Sequence, residues 1–579
     1  MARRTFQIAL IKPSHYDDNG YVIRWHRSSL PSNSLASVHG LLADCAEKQV
    51  LGPDVDIRID ACDECNTRID VAAISARIRK AGSGFVGLVG VQSNQYPRAL
   101  DLARRFRAKG LVVVIGGFHV SGCLSMLPEL PPGLREAQEL GVILYAGEGE
   151  GRFGELLNDI DRGEAKPLYN YMHDLPDLEA AIAPILPRHV VRRVAGGGYA
   201  SFDAGRGCPF QCSFCTIINV QGRKSRYRTA DDVEAIVRAN AAIGVNHFFV
   251  TDDNFARNKN WEAILDRLIE LRASGVSIRL LLQVDTLCHK TPGFIEKAAK
   301  AGCNAVFIGL ENINPESLAG TKKRQNKIWE YREMLQAWRA QRVMTWAGYI
   351  LGFPTDTPES IARDIETIKR ELPIDILEFF CLTPLPGSED HKRLYLQGVA
   401  MDPDMNNYDL EHVTTGHPLM SEAVWKEVYR DVWRRYYTDA HVETVLRRAV
   451  RDGIKARKVA DVLTVFSGGL RIEGVHPLQL GAIRHKRRRE RRPELGLESP
   501  LTFYPRRIWE VLSTAAAWGS LYWRYHRIKR RVLADPRRMD YIDEALKPAT
   551  EEQALPDFVR AFADKIPHTY GAPTSAATV

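Results

Sequence analysis

Residues 205–215 read Gly-Arg-Gly-Cys-Pro-Phe-Gln-Cys-Ser-Phe-Cys, which sets Cys208, Cys212 and Cys215 at C-x3-C-x2-C spacing. The run Tyr199–Ala204 before them reads as a strand, so the cysteines sit on the loop leaving its carboxyl end. Thiolates are the usual ligands of iron–sulfur clusters, and a cubane cluster normally takes four. Three clustered cysteines therefore leave one iron without a protein thiolate. An open position on a metal is where a catalytic site binds substrate or cofactor. Three buried structural cysteines, or a zinc site completed by a histidine, are the competing readings.

Downstream, strand and helix patterns alternate regularly. Strands are expected at Tyr199–Ala204, His247–Thr251, Ile278–Gln283, Ala305–Gly309, Thr345–Leu351 and Ile376–Leu382. Helical patterns lie between them, at Ala230–Ala242, Trp261–Ala273, Pro292–Ala301, Ile328–Ala340 and Pro358–Arg370. Six such repeats over 195–420 describe a partial (β/α)6 barrel, with its chemistry at the carboxyl ends of the strands. Upstream, residues 1–165 alternate in the same way: strands Phe6–Ile11, Val55–Ile59, Phe85–Val91, Val112–Ile115 and Val142–Tyr145, with an amphipathic helix near Arg98–Lys109. That is the pattern of a doubly wound, Rossmann-like α/β domain. A Pro-containing stretch, 166–194, reads as a linker. Beyond 420 the strand signal fades into a mainly helical region, 421–579, whose end at GAPTSAATV reads as a frayed tail.

The cysteine motif, opening a βα barrel, closely resembles that of the radical SAM superfamily. The resemblance implies a 4Fe-4S cluster on Cys208, Cys212 and Cys215, whose unique iron is chelated by S-adenosylmethionine. Electron transfer, from a donor such as flavodoxin or ferredoxin, then yields a deoxyadenosyl radical. It also implies contacts to S-adenosylmethionine. Phe214 takes the place of the aromatic beside the adenine. Asp252, Asp253 and Asn254 in VTDDNF match the second-strand motif that meets the methionine amino group; the same residues also suit a helix cap. Glu311 in FIGLEN matches the position that binds the ribose hydroxyls, and Gln283 ends the third strand facing the cofactor. Gly348, Ile350 and Gly352 in GYILGF match the fifth-strand glycine motif, and LTPLPGS at 382–388 recurs in related enzymes.

An α/β domain before the barrel resembles the cobalamin (B12)-binding branch of that superfamily. On this resemblance the strand ends of VGVQSNQYPRALDLARRFR, VVVIGGFHVSG and YAGEGEG cradle a corrin, with Ser93, Gly116, Gly117, Gly147 and Glu148 as contacts. The D-x-H-x-x-G cobalt-ligating motif is absent, and His119 has no such motif around it. Cys62 and Cys65 form a C-x2-C that lacks the further ligands a metal needs. The activity implied is C-methylation of an unactivated carbon in a small molecule, with a lipidic or polycyclic substrate in view. Cyclisation or another oxidoreductive rearrangement without methyl transfer is the alternative, and a membrane- or RNA-binding adaptor with a degenerate barrel is the further one.

The chain has 579 residues, 45% of them hydrophobic and 26% charged, which excludes a mainly disordered or coiled-coil protein. Ten cysteines are too sparse for a disulfide scaffold and fit a reducing, cytoplasmic compartment. The net charge of +8 is not spread evenly: 484–538 holds 16 Lys and Arg against 5 Asp and Glu. This segment opens with RHKRRRERR and continues as a helical pattern over Pro505–Leu533, with Ile508, Val511, Leu512, Ala515, Trp518, Gly519, Tyr522 and Tyr525 at three-four spacing. A solvated face on a docking helix, peripheral contact with the inner face of a membrane, and RNA binding compete, with nucleic acid the least favoured.

Overall fold

In the computed structural model, which describes residues 3–548 and 559, two parallel sheets carry the molecule. The first uses β1 (Arg4–Lys12), β3 (Val55–Asp63), β4 (Gly82–Leu88), β5 (Val112–Gly116), β6 (Ile143–Ala146) and β7 (Leu168–Asn170) in the order β3-β1-β4-β5-β6-β7. A short β2 (Trp25–Ser28) stands apart from it. The continuous apolar run of β1 has a direct cause. Phe6, Ile8 and Leu10 enter one core and Ala9 and Ile11 the other, so both faces of the strand are buried. The chain reverses its strand order between β1 and β4, the switch point where doubly wound sheets bind ligands. The edge strand β7 comes from the stretch that the Pro-containing sequence suggests as linker; its three residues are too few to register as a strand pattern.

The second sheet is built from β8 (Tyr199–Phe202), β11 (His247–Val250), β12 (Arg279–Val284), β13 (Cys303–Glu311), β14 (Met344–Leu351) and β15 (Ile376–Cys381), each paired in parallel with its neighbour in sequence. No pairing joins β8 to β15, so the barrel is open, as the six-repeat pattern implies. A small ribbon, β9 (Gly205–Arg206) with β10 (Arg226–Tyr227), ties off the cysteine loop at its base. Capping boxes start the helices Ala230–Ala242 (Thr229 with Asp232) and Pro358–Glu371 (Thr357 with Ser360).

Beyond the barrel, the helices Glu422–Tyr436, Asp439–Arg451 and Ala456–Gly468 pack on its β15 side; the Phe379 and Trp433 rings meet at 5.1 Å. A last strand, β16 (Gly481–Arg484), pairs antiparallel with β2, and a 35-residue helix, Pro500–Ala534, follows. The expected frayed end, GAPTSAATV, lies outside the described residues. Among the described residues no helix is long and apolar enough to cross a membrane.

Candidate active site

The carboxyl ends of the two sheets face each other across a pair of adjoining clefts. The larger, about 560 Å³, is walled by Gln92, Ser93, Asn94 and Phe118 from the first domain, by Ser201, Thr216, Phe249, Phe380 and Tyr408 from the barrel segment, and by His476 and Leu480 from the C-terminal region. The other, about 180 Å³, runs under the first sheet past Gly87, Gly90, Gly116, Gly117, Gly147 and Glu148. Asn33, Ser34, Gly90 and Phe118 line both. Pockets for one small ligand measure roughly 300–1000 Å³. The larger cleft alone falls within that range, and the smaller opens beside it.

The cysteine loop is shaped by backbone. Gly207 has φ +87°, and a Cβ there would lie 2.9 Å from the Gly222 carbonyl oxygen, while the Cys208 N–H donates to that same carbonyl (3.2 Å). Ser213 donates through its backbone to Thr321 (3.1 Å) and through its hydroxyl to Asp390 (3.0 Å), so the loop is pinned from two directions. Burial pushes the Cys208 thiol up to about 11 and the Cys215 thiol up to about 12. Thiolates here need a cationic partner, and the irons of a cluster are one. The residues fit that group better than zinc. Among the described residues no three His, Cys, Asp or Glu side chains converge on a single ion, whereas each cubane cysteine serves a different iron.

The structure brings several expected residues around this loop and sets others apart. Asp253 lines a small cleft beside Gly205, Arg206 and Pro209. Its neighbour Asp252 is turned inward: its carboxylate accepts from the Ala204 N–H (2.6 Å) and the Asn258 amide (3.1 Å), and burial lifts its pKa to about 7. Asn254 is likewise engaged, donating to Asp285 at 2.9 Å. Gln283 reaches back to the Asp252 carbonyl (3.5 Å). Glu311 ends β13 with φ +63°, a left-handed conformation unfavourable for any side chain but glycine. Its carboxylate pairs with Lys323, whose ammonium also lies 5.8 Å from the centre of the Phe214 ring. Gly309 leaves room for this pair, since a Cβ there would sit 2.9 Å from Glu311 Oε1.

The glycines of the fifth-strand motif have packing reasons of their own. A Cβ on Gly348 would come within 3.1 Å of the Phe380 ring, and Gly352 (φ +101°) abuts the Trp425 ring. Ile350 accepts at its carbonyl from the Asn312 amide (3.3 Å).

In the first domain, Gly117 (φ +144°) lets the β5 loop press on the backbone of Gly90 and Val91. Gly147 (φ +94°) donates to Ser121 Oγ at 3.1 Å, and a Cβ on Gly116 would meet the Tyr145 carbonyl at 3.2 Å. These glycines line the smaller cleft at the strand ends, where Cβ atoms on them would meet the chain's own backbone. Ser93 is committed to the buried His119 (3.2 Å), whose ring packs tilted against Tyr96 at 4.3 Å. Burial drops His119 to about 3, so it is a neutral core imidazole.

Glu148 departs most from expectation. Rather than facing the cleft alone, its carboxylate accepts from Arg206 (2.6 Å) and from both terminal nitrogens of Arg226 (2.5 and 2.9 Å). Arg206 also pairs with Glu150 (2.8 Å) and Asp203 (3.0 Å). Arg206 belongs to the cysteine motif itself, so this buried network bolts the glycine loop of the first domain onto the cluster loop. A second bolt joins Gly122 to Gly387 of the LTPLPGS segment, where a Cβ on Gly387 would stand 2.8 Å from the Gly122 Cα. Neither Arg206, Arg226 nor Lys323 is signalled by the sequence, because their partners lie in distant segments.

The Radical SAM superfamily model matches residues 204–368, from the cysteine loop into the helix Pro358–Glu371. Residues 204–368 form a radical SAM domain. The chain is 27% identical over 351 residues to bacteriochlorophyllide d C-8(2)-methyltransferase of Chlorobaculum tepidum, an overlap of 57% of the chain and 73% of the relative. It is 24% identical over 353 residues to hopanoid C-2 methylase of Rhodopseudomonas palustris, covering 60% of the chain and 63% of the relative. The solved structure of the radical SAM methyltransferase TsrM from Kitasatospora setae, with cobalamin and a 4Fe-4S cluster bound, aligns with a TM-score of 0.56 at 16% identity, over 79% of this chain and 100% of that one. That likeness is one of fold: an α/β domain ahead of a radical SAM barrel.

Proposed function

We propose that this chain is a cobalamin-dependent radical SAM enzyme that methylates an unactivated carbon of an apolar, lipidic or polycyclic small molecule. The observation that carries this reading is the pair of joined clefts between the carboxyl ends of both parallel sheets, with the glycine-lined strand ends on one side and the cysteine loop on the other. When bound, the cluster and S-adenosylmethionine supply a deoxyadenosyl radical, and cobalamin supplies the methyl group. The chain's own part is to hold and orient. Cys208, Cys212 and Cys215 carry the cluster, and Asp253, Phe214 and the Glu311–Lys323 pair present polar and aromatic contacts at its rim. Gly116, Gly117 and Gly147 let the loops that line the corrin's cleft pack closely on one another, and the Glu148 network fixes one site relative to the other. Phe249, Phe380, Leu478 and Leu480 give the larger cleft an apolar wall, and the named substrates of the two relatives, a bacteriochlorophyllide and a hopanoid, are large and mostly apolar. A flavodoxin or ferredoxin would supply the electron.

Anaerobic reconstitution tests this. The expected result is one cluster per chain, cobalamin retained through gel filtration, and deoxyadenosine formed from S-adenosylmethionine under dithionite. Absence of deoxyadenosine overturns the enzyme reading. Deoxyadenosine without retained cobalamin favours rearrangement without methyl transfer.

A further inference from the structure

The helix Pro500–Ala534 is amphipathic in an unusual direction: its apolar stripe faces out. Its inward face is well anchored. Phe503 is buried against Tyr21 (5.5 Å), Glu510 pairs with Lys486 (3.1 Å) and Arg507 (3.0 Å), Trp518 donates to Glu473 (3.0 Å), and Tyr525 donates to Ser467 (2.8 Å). At about 100° per residue, Leu501, Tyr504, Ile508, Trp509, Leu512 and Trp523 fall on the opposite side. Ile508 is 62% exposed, Trp509 72%, Leu512 60% and Trp523 62%. With a rise of about 1.5 Å per residue, the stripe from Leu501 to Trp523 is roughly 33 Å long. So long a bare apolar surface rimmed by polar groups marks an interaction site.

Charge selects the occupant. Glu510, the only acidic residue of the helix, points inward. Arg527 and Arg530 continue the outward stripe, and Arg487 and Arg489 are exposed on the loop leading to it. The Arg527 guanidinium sits over the Trp523 ring at 5.3 Å. The remainder of the RHKRRRERR cluster is spent internally. Arg484 pairs with Asp17 (2.8 Å), Lys486 with Asp17 (3.2 Å), Arg492 with Asp404, and Glu490 with Arg24 and Arg68. A second copy of this chain docking through the same stripe would bring arginines together with no carboxylate to meet them. An anionic lipid surface offers acyl chains to the stripe, an interfacial layer to the tryptophans and tyrosines, and phosphates to the arginines.

We propose that the outward face of Leu501–Trp523, with Arg527 and Arg530 at its carboxyl end, docks on an anionic lipid bilayer, lying along the interface without crossing it. This surface would bring a lipidic substrate to the protein at the membrane. It stands or falls independently of methyl transfer.

The test is flotation of the full-length, reconstituted protein with phosphatidylcholine vesicles, with and without phosphatidylglycerol. Binding to the anionic vesicles is expected, falling as salt rises, with a blue shift of tryptophan emission. Ile508→Asp/Leu512→Asp, on exposed positions, is expected to lower binding by roughly tenfold or more while cluster absorbance and deoxyadenosine formation stay unchanged. Arg527→Glu/Arg530→Glu is expected to weaken binding to anionic vesicles. Failure to float, equal binding to neutral vesicles, or binding indifferent to Ile508→Asp/Leu512→Asp overturns the proposal. So does a wild-type dimer in light scattering that this double variant turns into monomer without any vesicle binding, since a second copy would then be what covers the face.

Discussion

Replacing Glu148 by alanine should separate two activities that share one protein. The carboxylate and its two arginines are each about one-tenth exposed, 9% for Glu148 and Arg206 and 11% for Arg226. Removing one partner of a buried ion pair costs about 3–5 kcal/mol, because a charge is left uncompensated. Arg206 keeps Glu150 and Asp203, while Arg226 keeps only the carbonyls of Pro176 (2.7 Å) and Gln221 (3.0 Å). The loss therefore belongs near the lower end, about 3 kcal/mol, and Glu148→Gln, which preserves an acceptor, should lose about 1–1.5 kcal/mol. The functional effect follows from placement. Cysteines 208, 212 and 215 are untouched, so cluster assembly and deoxyadenosine formation should stay within roughly threefold of wild type. Product formation needs the two cofactor loops in register, and a displacement near 1 Å can cost about 100-fold. The assay measures deoxyadenosine and methylated product in the same reaction, beside urea denaturation followed by tryptophan emission. If both products fall in parallel, or if the unfolding midpoint does not move, the network is not the bolt between the sites that its geometry describes.

Four further outcomes follow from other residues. Cys212→Ala should abolish the charge-transfer absorbance of the reconstituted cluster while leaving the circular dichroism of the fold intact; a retained cluster contradicts the ligand assignment. Gly117→Ala should destabilise the first domain by about 2–4 kcal/mol and weaken cobalamin retention, since φ +144° is foreign to alanine and its Cβ would overlap the Val91 nitrogen; unchanged thermal unfolding would count against this. Lys323→Met should raise the KM for S-adenosylmethionine in deoxyadenosine formation about tenfold, with cluster content constant, because Glu311 then loses the cation that orients it. Glu378 is buried and pushed up to about 8, so its contribution to stability is present below about pH 4.5 and lost as pH rises through about 8. Glu378→Gln should flatten that decline, and a urea midpoint that still falls between about pH 5 and about pH 8.5 would refute the assignment.

What was legible in the sequence was what local pattern controls. Parallel strands buried on both faces read as apolar runs, so all six barrel strands and the helices Ala230–Ala242 and Trp261–Ala273 lie where periodicity sets them. The cysteine loop was legible because its spacing is local. The misreadings share a cause. Three residues of β7 are too short to show a period, and the nine-residue cluster RHKRRRERR with its neighbours looked like a free basic face because its acidic partners, Asp17, Asp404 and Glu510, are set by tertiary contact. The three-four stripe over Pro505–Leu533 was visible, but not its direction. Trp518 and Tyr525 turn inward to Glu473 and Ser467, while Trp509 and Trp523 face out.

Glu148 shows how this limit bears on the chemistry. Its place at the end of β6 suggests a cofactor contact, and it does line the cleft. Yet both carboxylate oxygens are taken by arginines 58 and 78 residues downstream, one of them inside the cysteine motif. A residue already holding two guanidiniums has little left to offer a cofactor. Its value lies instead in making the two loops one rigid unit, so that whatever radical forms beside Cys208, Cys212 and Cys215 meets its target at a fixed distance from the glycine-lined cleft. Gly122 against Gly387 repeats that logic without charge, by allowing two backbones to touch. Two independent bolts across one junction mean that a substitution at either should loosen the register without dissolving it, and that only the double variant, Glu148→Ala with Gly122→Val, should uncouple the sites completely.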